Sequence, residues 1–151
     1  MKLILIKYGE LTTKKDNRKQ FIKLLNKNIL NKISKYNVEI KYDLSRMYIM
    51  ADNNIDKIID KLKDVFGLHS IVIAYKVDND IELIKQEVVN ILKEESFKTF
   101  KVVTKRANKK FELHSAEVND KIGGVVLHSF DCKVDVHNPE LTVNIEIRDE
   151  G

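Results

Sequence analysis

Residues 105–111, KRANKKF, gather side chains suited to one kind of chemistry, the holding of anions. From position 98 to 110 the chain carries five lysines and one arginine and no acidic residue. Lysine supplies a compact point charge, and arginine a planar fork that also stacks on bases. Lys105, Arg106, Lys109 and Lys110 are therefore the first candidates for contacts with phosphates. A basic loop taken alone describes equally well a set of lysines that only keep a surface hydrated. Other chemistry has less to draw on. The four histidines, His69, His114, His128 and His137, have no metal-ligand spacing, and Cys132 is the only cysteine, so no second thiol can help them. At the start of an apparent strand, Cys132 reads as a small core side chain. Glu94 and Glu95 are neighbours on a helix and point apart. The pair Gly123–Gly124 lies within a helical pattern, and GxxxxGK[ST] is absent.

The elements that position the basic loop can be read from periodicity. KLILIKY is a compact apolar run, the mark of a buried strand. A helix follows from Asp16, a candidate N-cap, with Phe21, Leu24, Leu25, Ile29 and Ile33 on one face and Asn28 interrupting it. Arg18, Lys19, Lys23 and Lys27 lie on or beside the opposite face. VEIKYD and RMYIMA read as a β-hairpin with Arg46 at its turn. Ile55, Ile58, Ile59 and Leu62 mark a second helix ending near Gly67. SIVIAYKV closes the order βαββαβ, the ferredoxin-like arrangement.

Residues 78–80 make a polar break, which places a domain boundary between 1–76 and 77–151. Ile81, Ile84, Val88, Ile91 and Leu92 form the face of a third helix, and residues 97–104 read as a strand leading into the basic loop. Beyond the loop, Val118, Ile122, Val125 and Val126 define a fourth helix with Ser115 as candidate cap. Its two glycines cost about 1 kcal/mol each against alanine, which implies close packing at that point or the approach of a ligand, packing being the commoner cause. Two short strands, CKVDVH and TVNIEIR, end the chain, with Val134, Val136, Val143, Ile145 and Ile147 expected on one face. The fold class is α+β, in two small units.

The net charge of +4 hides segregation. Residues 1–36 hold ten basic and two acidic side chains, a net of +8; residues 37–97 hold eight and twelve, a net of −4. Residues 98–110 are +6, and residues 111–151, with three basic and nine acidic side chains, are −6. Two positive blocks separated in sequence suit a polyanion, of which nucleic acid is the commonest. No apolar run approaches the ~20 residues of a membrane span, and MKLILIKYGE lacks the form of a secretory signal. A single cysteine excludes an internal disulfide and fits a reducing, cytoplasmic setting.

Two stretches resemble known families. RANKKF, IGG and VDVHNPELTVNIEI, with Glu117 and Asn119, resemble the second half of a THUMP domain. KYGELTTKKDNR resembles the opening of the tRNA 4-thiouridine synthetase (ThiI) family: Tyr8, Gly9, Glu10, Lys14, Asn17 and Arg18 match its pattern, and Lys7, Lys15 and Asp16 depart from it. The resemblance implies an N-terminal ferredoxin-like domain followed by a THUMP α/β domain, together gripping the acceptor stem and single-stranded 3′ ACCA end of a tRNA. It places Lys105, Arg106, Lys109 and Lys110 at the RNA end, and Lys14, Lys15 and Arg18 along the stem backbone, with Arg46 as an addition. Phe111 is open to two roles, stacking on a base or core packing. Tyr8 is expected to pack between domains and Glu10 to order its loop.

In such enzymes adenylation belongs to a PP-loop domain carrying S-G-G-x-D-S, a motif not found in these 151 residues. The chain is therefore expected to bind rather than catalyse and to need no cofactor. ATP and a sulfur donor would belong to the catalytic domain, in cis or in trans, and the family implies a homodimer of the intact enzyme. Two other readings stand beside this one. The chain could be a THUMP module serving another tRNA-modifying activity, such as a methyltransferase or deaminase. It could also be a ferredoxin-like regulatory or protein-interaction module with no preference for RNA.

Overall fold

The computed structural model describes residues 2–8, 15–43, 46–65 and 68–151; for Tyr8, Lys15, Asp16 and residues 68–70 it describes the backbone alone. The chain divides into two compact units, Met1–Lys76 and Val77–Gly151.

In the first unit β1 (Lys2–Tyr8), α1 (Lys15–Ile33), β2 (Val38–Tyr42), β3 (Arg46–Ala51), α2 (Ile55–Leu62) and β4 (Leu68–Tyr75) follow in the βαββαβ order. The sheet runs β2-β3-β1-β4 with each neighbouring pair antiparallel. The apolar run of β1 suits this central place, where its side chains on both faces are buried. Ile4 and Ile6 are fully buried on one face, and Leu3 and Leu5 are buried on the other. Ile4 and Ile6 pack with Leu25, Ile29 and Ile33 of α1, Met47 and Ile49 of β3, and Ile58 and Leu62 of α2.

Three local expectations change in this unit. Helix α1 spans Lys15–Ile33, so Asp16 lies within the helix rather than capping it. Leu24 is exposed and Ile22 takes a buried place, because the core stripe follows Ile22, Leu25, Ile29 and Ile33 at spacings of three and four. Helix α2 ends at Leu62, with Lys63 as its C-cap, well before Gly67, which lies outside the described residues.

The second unit contains α3 (Ile81–Leu92), β5 (Thr99–Arg106), α4 (Ser115–Ser129), β6 (Lys133–Val134) and β7 (Leu141–Ile147). Asp80 caps α3, its carboxylate accepting from the backbone N–H of Glu82 at 2.8 Å and of Leu83 at 3.5 Å. The sheet order is β6-β5-β7, and both outer strands run parallel to β5. The last two strands, β6 and β7, therefore flank β5 instead of pairing with each other. Phe100, Ile147, the α3 residues Ile84, Val88 and Leu92, and the α4 residues Val118, Ile122 and Val126 form the core. Phe97 meets Phe100 edge-on at 6.1 Å and Phe130 at 5.7 Å.

On β7 the alternation holds, with Val143, Ile145 and Ile147 packed in that core. Val134 and Val136 depart from the expectation and are exposed, because β6 is only two residues long and forms a sheet edge. Packing also fails to account for the two glycines of α4. A Cβ built on Gly123 or Gly124 meets nothing within 4 Å.

Candidate nucleic-acid interface

A parallel sheet places the ends of its strands and the start of the following helix at one edge, where ligands of open α/β sheets commonly bind. In the second unit this edge holds the carboxyl ends of β5 and β7, the loop 107–113 and the first turn of α4. The loop is fastened at its start by two backbone bonds. Ala107 and Asn108 both donate their N–H to the Ile147 carbonyl, at 2.8 and 3.0 Å. Its middle is a turn in which the Asn108 side-chain oxygen accepts from the Lys110 N–H at 2.9 Å. Its far end is held by Arg106, whose Nη1 donates to the carbonyls of Phe111 and Leu113, each at 3.1 Å.

One further bond sets the helix against the strand, and another closes the start of the helix. The Thr104 hydroxyl donates to Asn119 Oδ1 at 2.7 Å, and Glu117 accepts the N–H of His114 at 3.2 Å. His114, not Ser115, is thus the N-cap, because Glu117 stands three residues beyond it and reaches back to its backbone. Glu117 and Asn119, two of the residues that carry the family resemblance, have structural partners within the unit.

The sequence-derived candidates fall in two groups. Lys105, Lys109 and Lys110 are exposed around the loop, and Arg106 is half-buried beneath it. Phe111 packs against the core of the unit, which accounts for it without a base to stack on. In the first unit Arg18 is half-buried near the start of α1, and Arg46 is the first residue of β3, opposite Lys7 of β1. Glu10 and Lys14 lie outside the described residues, as do Tyr8 and Lys15 in their side chains. Lys19, Lys23 and Lys27 are all exposed, and their spacing of four makes them a row on α1 that the candidate set lacked. Asn108 was missed as well; asparagine is common in turns that its own side chain closes.

Among the described residues no group of three histidine, cysteine, aspartate or glutamate side chains is placed to hold a metal ion. No helix among them is long and apolar enough to cross a membrane. The Cys132 thiol is pushed above its ordinary pKa, chiefly by burial and secondarily by the charge of Asp131. What the edge can do chemically is present fixed positive charge and backbone groups to an anion.

Comparison with known proteins agrees with this architecture. Residues 3–72 match the family model of the ThiI ferredoxin-like domain, and residues 78–151 that of the THUMP domain. A probable tRNA sulfurtransferase of Thermoanaerobacter pseudethanolicus is 42% identical over 149 residues, covering 97% of this chain and 39% of the relative. One of Oceanobacillus iheyensis is 44% identical over 152 residues, covering 98% of this chain and 38% of the relative. The chain thus spans about two fifths of the length of these relatives.

Among solved structures, a 4-thiouridine synthetase in complex with RNA and ATP aligns with a TM-score of 0.86 and 31% identity, over 100% of this chain and 39% of that one. A Pyrococcus horikoshii protein aligns with a TM-score of 0.85 and 28% identity, over 99% of this chain and 52% of that one. TrmN of Thermus thermophilus, at 14% identity and a TM-score of 0.65, shares the fold. Between them the two domain matches leave only a few residues unassigned, and the chain belongs to the ThiI family as a ThiI ferredoxin-like domain followed by a THUMP domain.

Proposed function

We propose that this chain is a tRNA-binding module that takes hold of the acceptor stem and single-stranded 3′ ACCA end, so that a catalytic domain can form 4-thiouridine. The observation that carries the reading is the loop 107–113. It raises Lys109 and Lys110 at the carboxyl edge of a parallel sheet, beside Lys105, on a backbone fastened at both ends. The likeness to a synthetase bound to RNA supports it. Fixed cations suit phosphates, and the splayed bases of a single-stranded end offer edges and faces to nearby side chains and backbone groups. Lys14, Lys15, Arg18 and Arg46 of the first unit track the stem backbone. The module itself holds no catalytic residue and needs no cofactor. Adenylation with ATP and transfer of sulfur belong to a PP-loop domain acting with it in the cytoplasm, in an enzyme that works as a homodimer.

The test is the binding of labelled tRNA, intact and lacking the 3′ ACCA, at two salt concentrations. Salt-sensitive binding that weakens when the tail is removed supports acceptor-end recognition. Equal binding of both RNAs reduces the basic segments to a general phosphate surface. Failure to bind either RNA overturns the reading.

A further inference from the structure

Resting on that reading, we infer that Arg106 is a positioning residue: it sets the shape of the RNA-binding loop and leaves contact with the phosphates to Lys109 and Lys110. The alternation that turns Phe100, Val102 and Thr104 of β5 toward the helices turns Arg106 the same way, under the loop rather than out from it. There its Nη1 divides two hydrogen bonds between the carbonyls of Phe111 and Leu113, at 3.1 Å each, while Lys109 and Lys110 stand exposed. The guanidinium ties the far end of the loop back to the end of β5, and the bonds from Ala107 and Asn108 to the Ile147 carbonyl tie its start to β7.

This arrangement bears on recognition of the tail. Flexible lysines on a loose loop attract any polyanion, and each must be ordered when RNA binds. On a closed loop the backbone positions that carry these lysines are fixed, so the reach of their ammonium groups is confined and favours one path of the RNA strand. Charge at position 106 is therefore less important than the planar fork that carries it. A lysine there keeps the charge as a strongly hydrated point on a flexible stem, without the fork's fixed geometry.

The experiment compares Arg106→Lys, Arg106→Gln and Lys109→Gln with the unaltered chain. It measures tRNA affinity against salt, the ratio of affinities for intact and tail-less tRNA, and backbone amide exchange of residues 107–113 in the free protein. The expected result for both Arg106 variants is faster exchange across the loop and a roughly tenfold fall in the intact-to-tail-less ratio, the order expected when ordering is deferred to binding. Their salt slope stays that of the unaltered chain. Lys109→Gln lowers the slope by about 0.7, one single-strand phosphate contact, with exchange unchanged.

The inference is overturned if Arg106→Lys binds and exchanges like the unaltered chain while Arg106→Gln alone loses slope, since position 106 then acts as a direct charge. It is overturned equally if neither variant changes exchange or the ratio. Absence of tRNA binding by the unaltered chain strikes the RNA reading itself, and the exchange measurement still decides whether Arg106 closes the loop.

Discussion

The Thr104 hydroxyl and the Asn119 side-chain oxygen, 2.7 Å apart, join β5 to α4 just beneath the basic loop. Thr104 is 8% exposed, so little water can replace a lost partner. Removing one member strands the other and costs about 1–3 kcal/mol, whereas removing both is far less damaging. The expected outcome for Thr104→Val and Asn119→Leu is a double variant markedly more stable than the sum of the two losses predicts. A double-mutant cycle by urea denaturation measures the coupling.

Gly124 lies in mid-helix, is exposed, and has open space where a Cβ would stand. Gly124→Ala should therefore stabilise the second unit by up to about 1 kcal/mol, through helix propensity alone. A shift of the denaturation midpoint to higher urea with an unchanged slope is the expected signature. Gly123→Ala follows with the same sign. If either substitution weakens tRNA binding while raising stability, the glycine makes room for a ligand.

Cys132 should react slowly with a thiol reagent near pH 8. Its raised pKa leaves less thiolate than an exposed cysteine has at that pH. Burial is the larger cause and Asp131 the smaller, so Asp131→Asn recovers only part of the difference. The pH dependence of alkylation, followed by mass spectrometry, gives both midpoints.

Lys109 and Lys110 should act additively and without sequence preference. The double variant to glutamine is expected to lower the slope of log affinity against log salt by about 1.4, some 0.7 for each phosphate on a single strand. Stability should be unchanged, since both side chains are exposed. A slope that does not move would detach these lysines from the RNA path.

The two-unit order and the ferredoxin-like arrangement were legible because periodicity reports burial directly. The run KLILIKY and the stripe Leu25, Ile29 and Ile33 have few alternatives as a core strand and a core helix face. Where the reading missed, a local pattern met a tertiary fact. Val134 alternates correctly with its neighbours, yet β6 is a two-residue strand at the edge of its sheet and leaves it exposed. Ser115 has the composition of a cap, but Glu117 reaches back to His114 and fixes the boundary one residue earlier. In the basic loop the charges could be read from composition. The division of labour could not, because the sequence does not say that Arg106 turns inward to two carbonyls while its neighbours turn out.

The acceptor that fastens the start of that loop is the carbonyl of Ile147, contributed by the last strand of the chain. Strand β5 lies between two strands that both follow it in sequence, and its long ladder runs from Phe100 paired with Leu141 to Arg106 paired with Ile147. During synthesis the cations of residues 105–110 therefore emerge well before the backbone that shapes their loop. The first unit, whose four strands end at Tyr75, can close its sheet while the second is still incomplete. A nascent chain acquires its positive charge early and its anchored loop only when β7 arrives.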